Sequence, residues 1–192
     1  MIRRGDPWGE LVDPSAELID VASDAEAATL ADSDQVRLTG GDLLMSLGGP
    51  TTGSHVARFH IDLLRVTSDV GAHVAIAHVI ARRRSWWHGP IAAAFNVDRL
   101  GPWDAAPRAH PGDGLLDVIE VGAEMSFRDR WQARRRLPTG THVPHPTITT
   151  RRARAVSWTF DAPRRLWVDG ERCGFVRSLE VVVEPGAATV HT

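Results

Sequence analysis

The chain has no lysine, no tyrosine and a single cysteine. Without lysine there is no phosphate-loop lysine, no Schiff base and no lysine general base, so all cationic work falls to arginine and histidine. One cysteine, Cys173, rules out an internal disulfide and points to a reducing compartment. With only Arg172 beside it, Cys173 reads as a small residue after a turn and not as a nucleophile. No apolar run approaches the ~20 residues of a membrane-spanning helix. The opening MIRRGDPWGE has no apolar stretch like that of a signal peptide. These absences set the expectation of a soluble, cytoplasmic protein, with at most peripheral membrane contact.

What is present suits one domain, or one domain plus a fragment. The 192 residues are 43% hydrophobic and 24% charged, enough apolar matter for a core and too much for global disorder. The net charge of −2 names no polyanionic partner, and nucleic acid is disfavoured. The charge is unevenly spread, however. Residues 1–50 hold ten acids against three arginines, whereas residues 126–155 hold eight arginines against the single acid Asp129.

Periodicity places the elements. ELIDVASDAEAATLA reads as a short strand and a short helix, and VRLTGGDLLMSLGG as a strand, a glycine turn and a helix. Residues 50–56 read as a linker. From Arg58 the texture turns to β: RFHIDLLRV, HVAIAHVIA, IAAAFNV and LLDVIEV, then TITT, ARAVSWTF, RLWVD, FVRSLEVVVE and AATV, each bounded by turn residues. SFRDRWQARRRL is the one clear helix, with Ser126 and Asp129 at capping-box spacing. The pattern predicts a mainly β protein with some α. It has an antiparallel β-sandwich over residues 56–192, preceded by a short acidic α/β segment over residues 1–55.

Several stretches invite chemistry. In Thr39-Gly40-Gly41-Asp42, backbone N–H groups at a helix start suit an anion, while the plain alternative is a turn and N-cap. Asp113 and Asp117 stand four apart, the spacing that puts two strand residues on one face. The histidine pairs His73/His78 and His142/His145 lack the spacing of a metal set. Arg82, Arg83 and Arg84 beside Trp86 and Trp87 have the composition of a surface that meets anionic headgroups and acyl chains; the alternative is a loop whose tryptophans fold onto the core. Arg134, Arg135 and Arg136, with Arg151 and Arg152, suit phosphate groups. In LWVDGERCG, Asp169-Gly170 signals a hairpin turn and Glu171 adds a second acid.

The order of these stretches resembles the diacylglycerol kinase and sphingosine kinase superfamily, which includes bacterial lipid kinases. TGGDLLMSLG resembles that family's T-G-N-D-L-A-R-x-L-G, with Gly41 in place of the asparagine. HPGDGLLDVIEV resembles its P-x-x-x-x-D-G-x-L-D strand, and GTHVPHPTITTRRARAVSWTF its stretch leading into paired strands. WVDGE resembles its D-G-E hairpin, and VVVEPGAATV its closing strand. The resemblance spans roughly residues 36–190. The family's G-G-D-G-T nucleotide motif does not occur in this chain.

The resemblance implies the C-terminal β-sandwich of a lipid kinase, with residues 1–55 a remnant of the nucleotide-binding domain. It implies ATP-dependent phosphoryl transfer to a lipid hydroxyl, with ATP and Mg²⁺ as cofactors. By motif match, Glu171 and Asp169 would be catalytic, Thr39, Gly40, Gly41 and Asp42 would meet the phosphates, and Asp113 and Asp169 would hold the metal. A degenerate, non-catalytic protein binding a lipid or an anionic small molecule on the same sandwich is the alternative. The sequence leaves room for a homo-oligomer or a partner chain.

Overall fold

The computed structural model describes residues 8–13 and 17–192; MIRRGDP and residues 14–16, part of the predicted acidic segment, lie outside the described residues. In chain order the elements are β1 (Glu10–Val12), β2 (Ile19–Val21), α1 (Asp24–Thr29), β3 (Val36–Leu38), α2 (Asp42–Ser46), β4 (Val56–Ser68), β5 (Gly71–Ala75), β6 (His78–Arg82), β7 (Ile91–Phe95), β8 (Arg99–Leu100), β9 (Trp103–Asp104), β10 (Leu116–Val121), α3 (Phe127–Arg136), a 3-10 turn (Leu137–Thr139), β11 (Ile148–Ala153), β12 (Ala155–Val168) and β13 (Glu171–His191).

One antiparallel sheet runs β1-β4-β13-β12-β6-β7-β10-β11, with β5 added to β4. The N-terminal strands join it through β3, which lies parallel to β13 and carries β2. The sheet closes over itself into a sandwich. Leu64 and Val66 of β4 share a core with Leu116 and Val118 of β10, although four strands stand between them along the sheet. The expected mainly β antiparallel sandwich is therefore the fold.

Side-chain alternation explains why β7 is apolar throughout. Ala92 and Ala94 face the sandwich interior, while Ile91, Ala93 and Phe95 face a second core under α3. A third core joins α1 and α2 to Phe59, Ile61 and Leu63 of β4 and to Ala188 and Val190 of β13. β13 serves both the first and third cores because its register shifts between Glu184 and Ala188. Leu179, Val181 and Val183 point into the sandwich before the shift, and Ala188 and Val190 pack into the third core after it.

Two sequence expectations change. RLWVD continues ARAVSWTF as one strand across an irregularity between Thr159 and Arg164, and AATV continues β13. HVAIAHVIA, read as one strand, is two, broken at Ile76-Ala77. The break has a cause. The N–H groups of Ile76, Ala77 and His78 leave the ladder and donate to the Asp169 carboxylate at 2.8, 3.0 and 2.8 Å.

Candidate functional site

The β12–β13 hairpin turns through Asp169 (φ 45°) and Gly170 (φ 84°), with Val168 opposite Glu171. Two positive φ values in a two-residue loop are the type I′ geometry that Asp-Gly favours. The turn is locked from below. Besides the three N–H groups its carboxylate accepts, Asp169 donates its own N–H to the His78 carbonyl at 3.0 Å. Burial pushes the Asp169 carboxyl above its ordinary value, against the pull of His78 and the three N–H donors.

A chain of polar contacts runs from this turn into the N-terminal segment. His78 Nε2 lies 3.1 Å from Asp42 Oδ2, and the Gly101 N–H donates to Asp42 Oδ1 at 2.7 Å. The N–H groups of Asp42 and Leu43 donate to the Asp24 carboxylate at 2.7 and 3.1 Å. Burial opposes the charges on both His78 and Asp42. Their mutual contact, helped by Asp169 at His78 and by the Gly101 N–H at Asp42, outweighs it, lifting the His78 pKa and lowering that of Asp42. Asp24 has no such cation. Burial raises its carboxyl to about 6, and the neighbouring Asp169 and Asp42 add to the shift.

At the T-G-G-D turn the N–H groups of Thr39, Asp42 and Leu43 are engaged within the protein. Asp24 occupies the start of α2, and Thr39 Oγ1 donates to the Val21 carbonyl at 2.8 Å. Gly41 (φ 99°) packs so closely on Asp24 that a Cβ there would lie 2.3 Å from its Oδ1. The asparagine of the lipid-kinase motif would not fit this arrangement.

The two residues assigned to a metal by resemblance belong to different clusters. Asp169 is held as above. Asp113 is bonded by Arg152 and the Leu115 N–H, and Arg152 reaches Asp117 as well, 3.4 Å from Nε to Oδ2. Among the described residues no group of three or more His, Cys, Asp or Glu is arranged to hold a metal ion. The residues present thus do not fit a Mg²⁺ site by themselves.

Glu171, by contrast, is exposed, and among the described residues none donates a hydrogen bond to its carboxylate. With Asp169, Arg65 and His73 it lines a cleft of about 570 Å³ closed on one side by α1. Gly170 borders a different space, an apolar cavity of about 420 Å³ walled by β6, β7, β10 and the α3 region, with Trp86, Trp103 and Trp167 among its lining residues. The hairpin thus stands between a polar cleft and an apolar cavity. The cavity's polar atoms are few. Trp86 Nε1, Trp167 Nε1, His78 Nδ1 and His142 Nδ1 belong to its lining residues, are buried and have no hydrogen-bond partner.

The arginines read from sequence divide. Arg82 lies over Trp167 (5.3 Å), and Arg134 over Trp103 (4.8 Å) and Trp87 (5.7 Å), both at the cavity. Arg83, Arg84, Arg135 and Arg136 are exposed nearby. Arg151 and Arg152 stand apart on β11, and Arg152 is engaged with aspartates. The two tryptophans fold partly inward, as the plainer loop reading has it.

Sequence reading passed over Arg130. Fully buried, its guanidinium donates to the carbonyls of Met125 (3.1 Å), Trp86 (2.7 Å), Gly89 (2.6 Å) and Gly122 (3.2 Å), fixing α3 to the 83–90 loop. It also passed over Asp24 and over Asp62, whose carboxylate accepts N–H groups from Gly114 (2.6 Å) and Gly186 (2.8 Å). No local signal marks these residues, because Asp24, Asp62 and two of the four carbonyls held by Arg130 find their partners far along the chain.

The antiparallel β-sandwich, with the Asp169-Gly170-Glu171 hairpin beside an apolar cavity, is the architecture that comparison with known proteins identifies. The chain belongs to the family described as the YegS C-terminal NAD kinase beta sandwich-like domain, which matches residues 72–192. Among solved structures it resembles "a putative diacylglycerol kinase" from Bacillus anthracis str. Sterne at 13% identity, covering 91% of this chain and 77% of that one with a TM-score of 0.65. A second structure, described in the same words and from the same organism, gives 12% identity, the same coverage and a TM-score of 0.66. A structure described as one of "diacylglycerol kinases" of that organism gives 12% identity, coverage of 91% and 75%, and a TM-score of 0.61. At these identities the likeness is one of fold. No curated protein matches the chain. No helix among the described residues is long and apolar enough to cross a membrane.

Proposed function

We propose that this chain holds a lipid in the apolar cavity and serves ATP-dependent phosphoryl transfer to that lipid's hydroxyl. Glu171 is the carboxylate nearest the chemistry. The observation that carries this reading is the cavity itself. A volume of about 420 Å³ walled by aliphatic and indole side chains suits an acyl chain. Gly170 borders it, so a lipid head at that end would lie beside the D-G-E turn. Phosphoryl transfer rests on positioning and charge stabilisation. The nucleotide and its metal need a cradle; here the N–H groups of Asp42 and Leu43 and the Asp169 carboxylate are engaged internally.

That same observation favours a second reading, a non-catalytic lipid-binding protein on the same sandwich. One experiment separates the two. The chain is incubated with radiolabelled ATP, Mg²⁺ and diacylglycerol or a long-chain base, alongside Glu171→Gln, while lipid binding is followed by displacement of a fluorescent acyl probe. Transfer that disappears in the variant supports the kinase reading. Probe binding without transfer leaves the binding protein, and absence of both removes the lipid reading.

A further inference from the structure

We infer that α3 and the 83–90 loop form a docking surface for an anionic phospholipid bilayer, placed so that the apolar cavity opens onto the membrane. This builds on the lipid reading of the cavity. The first observation is exposure. Phe127 and Trp131, one turn apart on α3, are 63% and 47% exposed, among the largest apolar side chains left in water. Phe127 extends inward to Trp87 (ring centroids 5.1 Å apart), so the exposed rings continue into the half-buried tryptophans of the loop.

The second is charge. Arg128, Arg134, Arg135 and Arg136 of α3 and Arg83 and Arg84 of the loop are exposed, whereas the one acid of α3, Asp129, is bonded to Ser126. Arg135 stacks on Trp131 at 4.8 Å, pairing a cation with an indole as at a headgroup boundary. In a chain of net charge −2 this cationic face is a local feature.

The third is rigidity. Buried Arg130 ties α3 to the loop through four carbonyls, so rings and arginines form one fixed surface. The fourth is continuity. Trp86 of the loop and Arg134 of α3 also line the cavity, and Arg134 stacks on the lining residue Trp103, so the cationic face and the cavity share residues. Arginine and exposed rings together also suit single-stranded nucleic acid; the adjoining apolar cavity is what favours the bilayer.

The test is co-sedimentation of the full chain with phosphatidylcholine vesicles, with and without phosphatidylglycerol. It is repeated for the double variants Phe127→Ala/Trp131→Ala and Arg135→Gln/Arg136→Gln, whose exposed positions keep the fold intact by circular dichroism. Binding is expected only to the anionic vesicles, falling roughly fivefold per arginine removed and falling also with the ring deletions. No sedimentation with anionic vesicles, or binding that neither variant weakens, overturns the proposal. So does a single-stranded oligonucleotide that binds as tightly as the vesicles and loses affinity equally in both variants. The cavity is judged apart, with a water-dispersed fluorescent acyl probe. A chain that takes up the probe but ignores vesicles overturns the docking surface alone.

Discussion

At the scale of residues, two acids separated by one glycine do different work. Asp169 is buried and accepts three N–H bonds, while Glu171 is exposed and free of internal partners. In Asp169→Asn the amide retains one oxygen. Either the Ile76 N–H or the Ala77 and His78 pair then faces an NH₂ group. The loss should be about 1–3 kcal/mol, read as a lowered urea midpoint. Glu171→Gln should stay within about 0.5 kcal/mol of the parent while removing any phosphoryl transfer. Equal destabilisation by the two changes would contradict this division.

Asp24 gives the pH dependence a sign. Its carboxyl sits at about 6 in the fold against an ordinary 3.8, because burial outweighs the N–H donors of Asp42 and Leu43, with Asp169 and Asp42 adding repulsion. Between those values the folded state holds a proton that the unfolded chain has released. Asp24 therefore favours folding most below 3.8, and that contribution falls as pH rises to about 6. His78, raised above 6.5, adds stability below 6.5 that is lost as pH rises through its folded value. Asp42, lowered below 3.8, adds stability lost only in acid below that value. Chemical denaturation of the parent and Asp24→Asn across this range should show the variant gaining on the parent from 3.8 to about 6 and a constant gap above; parallel profiles would refute the assignment.

At the scale of elements, strands announced themselves through alternation and the helix through its cap. Ser126 Oγ accepts the Asp129 N–H at 3.2 Å, as the spacing predicts. The sandwich was legible because each buried strand satisfies its faces by its own pattern. What the pattern hides are joints between elements. The break at Ile76-Ala77 depends on a carboxylate more than ninety positions away, and the α3 anchor is an arginine inside an arginine-rich run that reads as solvated. Asp24, Asp62, Asp69 and Asp169 all accept backbone N–H groups from distant segments. An aspartate in a turn therefore reads alike in sequence whether it serves chemistry or closes a joint. Arg130→Met should leave four carbonyls without their donor. It should cost about 3 kcal/mol or more and speed hydrogen exchange at residues 85–90 well beyond that of β7. Uniform acceleration across both would deny the local anchoring.

At the scale of the whole molecule, the apolar cavity lies between the sheet and α3, where the second core is incompletely filled. Ala93 belongs to that core and lines the space. Ala93→Phe should occupy the volume, lower acyl-probe affinity by about tenfold or more, and leave stability close to the parent, since added bulk meets empty space. Unchanged affinity in a folded variant would place the lipid elsewhere.

The position of β13 bears on how this sheet assembles. It is the last strand in the chain, yet it lies between β4 and β12, and its far end pairs with β3. Until it docks, β4, β12 and β3 each lack a neighbour and present open N–H and C=O rows. Ladders such as His191 opposite Arg58 span most of the sequence, and closure over so long a loop is slow. Refolding should thus pass through a window in which the earlier strands are formed but uncapped. In that window intermolecular strand pairing competes with native closure, so the yield of refolded protein should fall steeply as its concentration rises.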